Sequence, residues 1–217
     1  MDIIDLAGII DHTLLAADAT EKDVRRLCDE AVEYGFKSVC INPIWVSFAA
    51  GLLKGRSPLV CSVIGFPLGA SVTKAAEARR AVSDGADELD MVLPVGQLLQ
   101  GSHDFVREDI QSVVKAASGR PVKVILETCL LGRREKVTGC RLAVEAEAAW
   151  VKTSTGFSSG GATVEDVRLM AEAVDGSAGV KASGGIGSPE QALRMVAAGA
   201  RRLGCSRSID VVSKGNS

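Results

Sequence analysis

Short runs of valine, isoleucine and leucine punctuate this chain, and longer stretches with helical spacing separate them. The runs predict strands at Asp11–Leu15, Ser38–Ile41, Leu59–Gly65, Ala86–Pro94, Val122–Thr128, Trp150–Thr155, Gly179–Ser183 and Arg202–Ser206. Several lack polar alternation, as parallel strands covered on both faces do. After Thr20, the residues Val24, Leu27, Cys28, Ala31 and Val32 recur at the spacing of an amphipathic helix. Thr163 with Asp166, and Ser188-Pro189-Glu190-Gln191, read as helix starts with capping side chains. Gly35, Gly85 and Gly199 follow the ends of helical runs, as C-terminal caps do.

Strand and helix therefore alternate about eight times, at roughly 27 residues per unit. Eight such units with right-handed crossovers predict an α/β fold, a TIM (β/α)8 barrel, as a single domain over residues 1–217. The rival architecture is a doubly wound open sheet. Its GxGxxG fingerprint would follow the first strand, where this chain reads His12-Thr-Leu-Leu-Ala16.

Composition narrows the partners. With 217 residues, 47% of them hydrophobic, the chain can bury a core without covalent staples. A net charge of −2 and 4% aromatic residues argue against nucleic acid as a partner. No apolar run approaches the length of a membrane span. The start, Met1-Asp-Ile-Ile-Asp5, lacks the basic segment of a secretion signal, so a cytoplasmic location is expected. The six cysteines are scattered without a CxxC pair and read as reduced thiols. Two histidines, His12 and His103, are too few for a zinc site.

Charged residues inside apolar strands carry the chemistry. Lys152 follows Ala-Ala-Trp-Val, Lys181 follows Ala-Gly-Val, and Asp90 precedes Met-Val-Leu-Pro. Lys152 and Lys181 fall in the sixth and seventh strands, each followed by a glycine-containing turn. If both point inward, their ammonium groups lie close together. Each could instead snorkel, or form an interior ion pair with Asp90, Glu127 or Asp11. The chemistry that needs two such lysines is Schiff-base formation. An ordinary lysine, with a pKa of about 10.4, is less than about 0.1% free amine at pH 7. Lowering that pKa by about three units requires roughly 4 kcal/mol, supplied by a dry pocket and a second cation. Asp90 offers a carboxylate for proton transfer.

Glycine-rich turns follow the last two strands, Ser183-Gly184-Gly185-Ile186-Gly187-Ser188 and Gly204-Cys-Ser206-Arg207-Ser208. Such turns let backbone N–H groups reach an anion, and barrels of this class commonly bind phosphate there. The Thr153–Gly156 turn adds donors to the same mouth. His12 reads as a hydrogen-bonded core residue or, with Asp11, a catalytic pair. His103 reads as an exposed residue near a helix start. Cys40 reads as a buried thiol at the pocket edge. Glu127 lines the site or neutralises a lysine.

These residues resemble the deoxyribose-phosphate aldolase family of class I aldolases over nearly the whole chain. The resemblance rests on Ile10-Asp-His-Thr-Leu14, Val39-Cys-Ile-Asn-Pro43, Val63-Ile-Gly-Phe-Pro-Leu-Gly69, Gly85-Ala-Asp-Glu-Leu-Asp90, Val151-Lys-Thr-Ser-Thr-Gly-Phe157 and Val180-Lys-Ala-Ser-Gly-Gly-Ile186. It implies reversible cleavage of 2-deoxy-D-ribose 5-phosphate to D-glyceraldehyde 3-phosphate and acetaldehyde. By the same resemblance Lys152 forms the Schiff base, Lys181 lowers its pKa and shares in proton transfer, and Asp90 gives or takes the proton. Asp11 matches a residue that supports the second lysine, and Gly156, Gly184, Gly185, Gly204 and Ser206 match phosphate-binding positions. The resemblance also implies that no metal or organic cofactor is needed, and a homo-oligomer, dimer or tetramer, with a small phospho-sugar as its only other partner. Two features depart from the family pattern. Arg207 stands where the usual Gly-Thr-Ser-Ser-Gly turn has serine, and the chain's one tyrosine is Tyr34, not a C-terminal residue. Two other readings keep the barrel but not the covalent step: a phosphate-binding isomerase or synthase, and a non-catalytic phospho-sugar sensor.

Overall fold

A computed structural model describes residues 6–213. The acidic start Met1–Asp5, read above for its lack of a secretion signal, lies outside them. The strands are β1 (Ile10–Leu14), β2 (Ser38–Ile41), β3 (Leu59–Ile64), β4 (Glu88–Val92), β5 (Val122–Ile125), β6 (Trp150–Lys152), β7 (Gly179–Ser183) and β8 (Arg202–Cys205). They pair in chain order, all parallel, and β8 closes on β1 to form a complete barrel. This is the TIM barrel expected from the alternating pattern. The chain links these strands through α1 (Glu21–Tyr34), α2 (Val46–Leu53), α3 (Lys74–Ser83), α4 (Val95–Leu99), α5 (His103–Ala116), α6 (Arg133–Glu145), α7 (Val164–Val174) and α8 (Pro189–Ala197), and α9 (Ser208–Val212) follows β8.

The helices begin where the capping residues stand. Thr163 Oγ1 accepts from Asp166 N at the start of α7, and Ser188 Oγ accepts from Gln191 N at the start of α8. Helix α1 buries Val24, Leu27, Cys28 and Ala31 against the sheet. The apolar core lies between the sheet and its outer ring of helices, where Val39, Leu89, Val124, Val151 and Leu203 are buried.

Several strands are shorter at their C-terminal ends than their apolar runs suggest. β5 stops at Ile125, and Glu127 adopts a left-handed backbone with φ 59° that turns the chain into a short 3-10 turn at Thr128–Leu130. β6 stops at Lys152, although Thr153, Ser154 and Thr155 are also buried. These residues look strand-like because they pack at the mouth of the barrel. Thr153 still bonds β7 through Lys181 O and Ser183, while Thr155 turns away from the ladder to hold Glu127.

Candidate active site

Side chains alternate across each strand, so residues two apart share a face. In this barrel the inward face is charged. Asp11, Glu88, Asp90, Lys123, Lys152, Lys181 and Arg202 all point inside, and none is more than 5% exposed. Register brings the key residues level: Lys152 is the Cα partner of Lys181, and Asp90 of Lys123.

Three ammonium groups converge on one carboxylate. Asp90 Oδ2 lies 2.8 Å from Lys152 Nζ and 2.7 Å from Lys181 Nζ, and Asp90 Oδ1 lies 2.8 Å from Lys123 Nζ. Burial works to raise the Asp90 carboxyl, but these three cations outweigh it and hold it well below the usual carboxylate range. Lys181 also pairs with Asp11. Burial pulls the Lys181 ammonium down, and Asp11 and Asp90 together push it above the ordinary lysine value, so it remains charged. Asp11 is likewise held below its ordinary value; burial opposes this, and Lys181, Lys123 and Arg202 prevail.

Above this cluster opens a cavity of about 370 Å³. Among the residues lining it, Lys152 is the only one with an ionisable side chain; Asp90 and Lys181 lie beneath, sealed from solvent. Gly156, Gly184, Gly185, Gly204 and Ser206 line the same cavity. The turns after β6 and β7 are laced together there. Thr153 Oγ1 donates to Ser183 O and accepts from Ser183 N, both at 3.0 Å, and Ser183 Oγ donates to Ser154 O. Gly184 has φ 92° and lies against the backbone of Gly161, where a Cβ on Gly184 would sit 2.9 Å from Gly161 Cα. That combination admits only glycine.

The secondary candidates resolve individually. His12 lies outside the barrel wall, with Nδ1 2.9 Å from Ser208 Oγ and Nε2 2.8 Å from Glu30 Oε2. Ser208 is fully buried and its hydroxyl donates to Cys205 O, so this serine–histidine–glutamate line ties α9 to β1 and α1 instead of presenting a nucleophile. His103 starts α5 and is exposed. Cys40 is buried, its thiol 4.0 Å from Asp90 Oδ2, and Cys61 donates to Asp90 Oδ1 at 3.1 Å. These two sulfurs and the Asp90 carboxylate gather within 4.8 Å, but a metal cation there would meet the three ammonium groups already on Asp90. Glu127 pairs with no lysine among the described residues. Its carboxylate accepts from Thr155 N at 3.2 Å and from Thr155 Oγ1, pinning the loop that carries Gly156.

Sequence reasoning missed Lys123, Glu88 and Arg202. Lys123, between Val122 and Val124, interrupts an apolar strand as Lys152 and Lys181 do, so the same signal marks it; Glu88 and Arg202 open β4 and β8 directly after Asp87 and Arg201, where a charge looks like a solvated strand start.

Comparison with known proteins agrees with this architecture. Residues 6–207 match the model of the DeoC/LacD family aldolases. A deoxyribose-phosphate aldolase of Clostridium kluyveri is 54% identical over 217 residues, covering 99% of this chain and all of that one. A crystal structure from Coccidioides immitis, provisionally named a deoxyribose-phosphate aldolase, superposes with a TM-score of 0.96 at 44% identity, over 98% of this chain and 86% of that one. The tetrameric deoxyribose phosphate aldolase of Aeropyrum pernix superposes with a TM-score of 0.91 at 38% identity, over 97% and 91% of the two chains. By its motifs, its barrel and these relatives, the chain belongs to the DeoC/LacD family of aldolases, which are carbon–carbon lyases.

Proposed function

We propose that this enzyme reversibly cleaves 2-deoxy-D-ribose 5-phosphate to D-glyceraldehyde 3-phosphate and acetaldehyde through a Schiff base on Lys152. The observation that carries this reading is the position of Lys152: it is the ionisable side chain on the cavity surface, with Asp90 and Lys181 directly beneath.

As a free amine, Lys152 attacks the aldehyde carbon C1 of the open-chain sugar. The carbinolamine loses water to form an iminium ion. A base takes the proton of the C3 hydroxyl, the C2–C3 bond breaks, and its electron pair enters the iminium as an enamine. Glyceraldehyde 3-phosphate leaves. The enamine carbon is protonated, and water releases acetaldehyde and the amine. Asp90, held as a carboxylate 2.8 Å from Lys152 Nζ, accepts and returns protons at these steps, directly or through water. Lys181, locked in its charged form by Asp11 and Asp90, supplies a fixed cation beside the reacting nitrogen and shares in the proton transfer.

The turns at Gly156, Gly184, Gly185, Gly204 and Ser206 bind the 5-phosphate, anchoring the sugar at a distance from the reacting carbons. The protein works as a single barrel domain and as a homo-oligomer in the cytoplasm. The motif resemblance and the tetrameric Aeropyrum pernix relative support assembly. Among the described residues no helix is long and apolar enough to cross a membrane. A coupled assay for glyceraldehyde 3-phosphate tests the reading: the enzyme turns over deoxyribose 5-phosphate, and Lys152→Ala lowers the rate at least about 1000-fold. Near-normal turnover by that variant overturns it.

A further inference from the structure

The charges beneath Lys152 form a closed circuit. It runs from Lys181 through Asp90, Lys123, Glu88, Arg202 and Asp11 and back to Lys181. Lys181 Nζ is 2.7 Å from Asp90 Oδ2, Asp90 Oδ1 is 2.8 Å from Lys123 Nζ, and Lys123 Nζ is 2.9 Å from Glu88 Oε2. The same Glu88 oxygen lies 2.6 Å from Arg202 Nη2, and Arg202 Nε lies 2.5 Å from Asp11 Oδ1. Asp11 Oδ2 meets Lys181 Nζ and closes the circuit. Three carboxylates alternate with three cations, so the circuit is neutral. Lys152 stands outside it, attached only through Asp90 Oδ2.

Glu88 and Arg202 do not line the cavity and are 5% and 4% exposed. The Arg202 guanidinium stacks over Trp150, 5.8 Å from the ring centroid. Burial pulls the Arg202 guanidinium down, and Asp11 and Glu88 more than reverse that, so it stays charged. The other two strands present uncharged groups to the cluster: Cys40 and Ser38 from β2, with Ser38 Oγ donating to Asp11 Oδ1 at 2.7 Å, and Cys61 from β3. Buried ion pairs are seldom a route to stability, because apolar side chains of similar volume often serve as well. A closed circuit of them beneath a reacting amine calls for a different role.

We propose that Glu88 and Arg202 are positioning residues for the reaction: they complete a neutral circuit under Asp90, so that Lys152 is the one cation of the described barrel interior without a counter-charge of its own. This rests on Lys152 being the nucleophile. A proton on Lys152 gives the interior an unbalanced positive charge, and releasing it restores neutrality. The balance at the floor of the barrel therefore sets how readily the amine at its mouth becomes free. Taking away Arg202 leaves the circuit negative and holds the proton on Lys152. Taking away Glu88 leaves it positive and expels the proton.

The test measures the rate at which cyanoborohydride traps acetaldehyde on Lys152 as a function of pH, with the adduct located by peptide mass, alongside the pH profile of kcat/KM. Arg202→Met moves the midpoint of the acid limb upward by about one pH unit and Glu88→Gln moves it downward by a similar amount, as expected for one unit charge in a poorly screened interior. Arg202→Lys, which keeps the charge, stays near the parent. The double variant Glu88→Gln/Arg202→Met is neutral again, and its midpoint returns to that of the parent. The double variant also leaves no buried charge unpaired, so it remains readable should either single variant fail to fold. Midpoints that do not move, that move in the same direction in both single variants, or that stay displaced in the double variant overturn the proposal while leaving Lys152 as nucleophile. A parent enzyme that yields no adduct at any pH overturns the Lys152 assignment, and this inference with it.

Discussion

Lys152 and Lys181 are register partners on adjacent parallel strands, and their Nζ atoms share a single oxygen, Asp90 Oδ2, at 2.8 and 2.7 Å. Strand pairing fixes this approach, so it does not depend on two long side chains finding each other. The two lysines are not equivalent. Lys181 has a second carboxylate in Asp11 and no solvent exposure, whereas Lys152 has Asp90 alone and opens to the cavity. In the proposed reaction, Lys181 keeps its proton and Lys152 meets the substrate.

Replacing Lys181 with leucine removes the cation beside Lys152, the nucleophile of the proposed reaction, and leaves Asp11 and Asp90 short of a partner. Lys152 then keeps its proton to higher pH. The acid limb of the kcat/KM profile is expected to move up by about one pH unit or more, with at least a tenfold loss of rate at pH 7. An unmoved profile would refute the electrostatic role of Lys181.

Gly204 leaves space that Lys181 occupies. A Cβ there would sit 2.9 Å from Ser183 Cβ and 3.1 Å from Lys181 Cε. Gly204→Ala should therefore displace Lys181 or the Ser183 turn and lower kcat/KM by about tenfold, equivalent to about 1.4 kcal/mol of transition-state stabilisation. Full activity with an unchanged pH profile would show that the close approach has no catalytic consequence.

His12 bears on stability rather than turnover. Burial depresses its pKa below the ordinary 6.5, although Glu30 pulls the other way, so the folded protein binds this proton less readily than the unfolded chain. Its contribution is present above about pH 6.5 and declines as the pH falls from there toward the lower folded value. Melting curves between pH 7.5 and 5.5 should show a steeper loss of Tm in the parent than in His12→Asn. Parallel curves would contradict this.

The barrel was legible because its strands are apolar on the outward face and separated by helices with clear starts. The strand ends were less so. Glu127, Thr153 and Thr155 are buried at the mouth and extend the apparent runs of β5 and β6, although Glu127 turns left-handed to hold Thr155, and Thr153 Oγ1 bonds the end of β7. The catalytic candidates were legible because a lysine inside a run such as Trp150-Val-Lys152 is costly to bury without a partner. Which partners serve was not legible. Lys123 carries the same signal, while Glu88 and Arg202 stand at strand starts beside other charges, and their closure into a circuit depends on the register of all eight strands, which no local pattern encodes. Glu127, open between lining the site and neutralising a lysine, instead holds Thr155.

The most direct measurement is borohydride reduction in the presence of acetaldehyde, followed by peptide mapping. Covalent catalysis at Lys152 predicts one added ethyl group per chain, located on the peptide containing Lys152, with loss of activity in proportion to the labelling. An unlabelled Lys152 in an enzyme that still turns over deoxyribose 5-phosphate, or labelling on Lys181 in its place, would contradict the account.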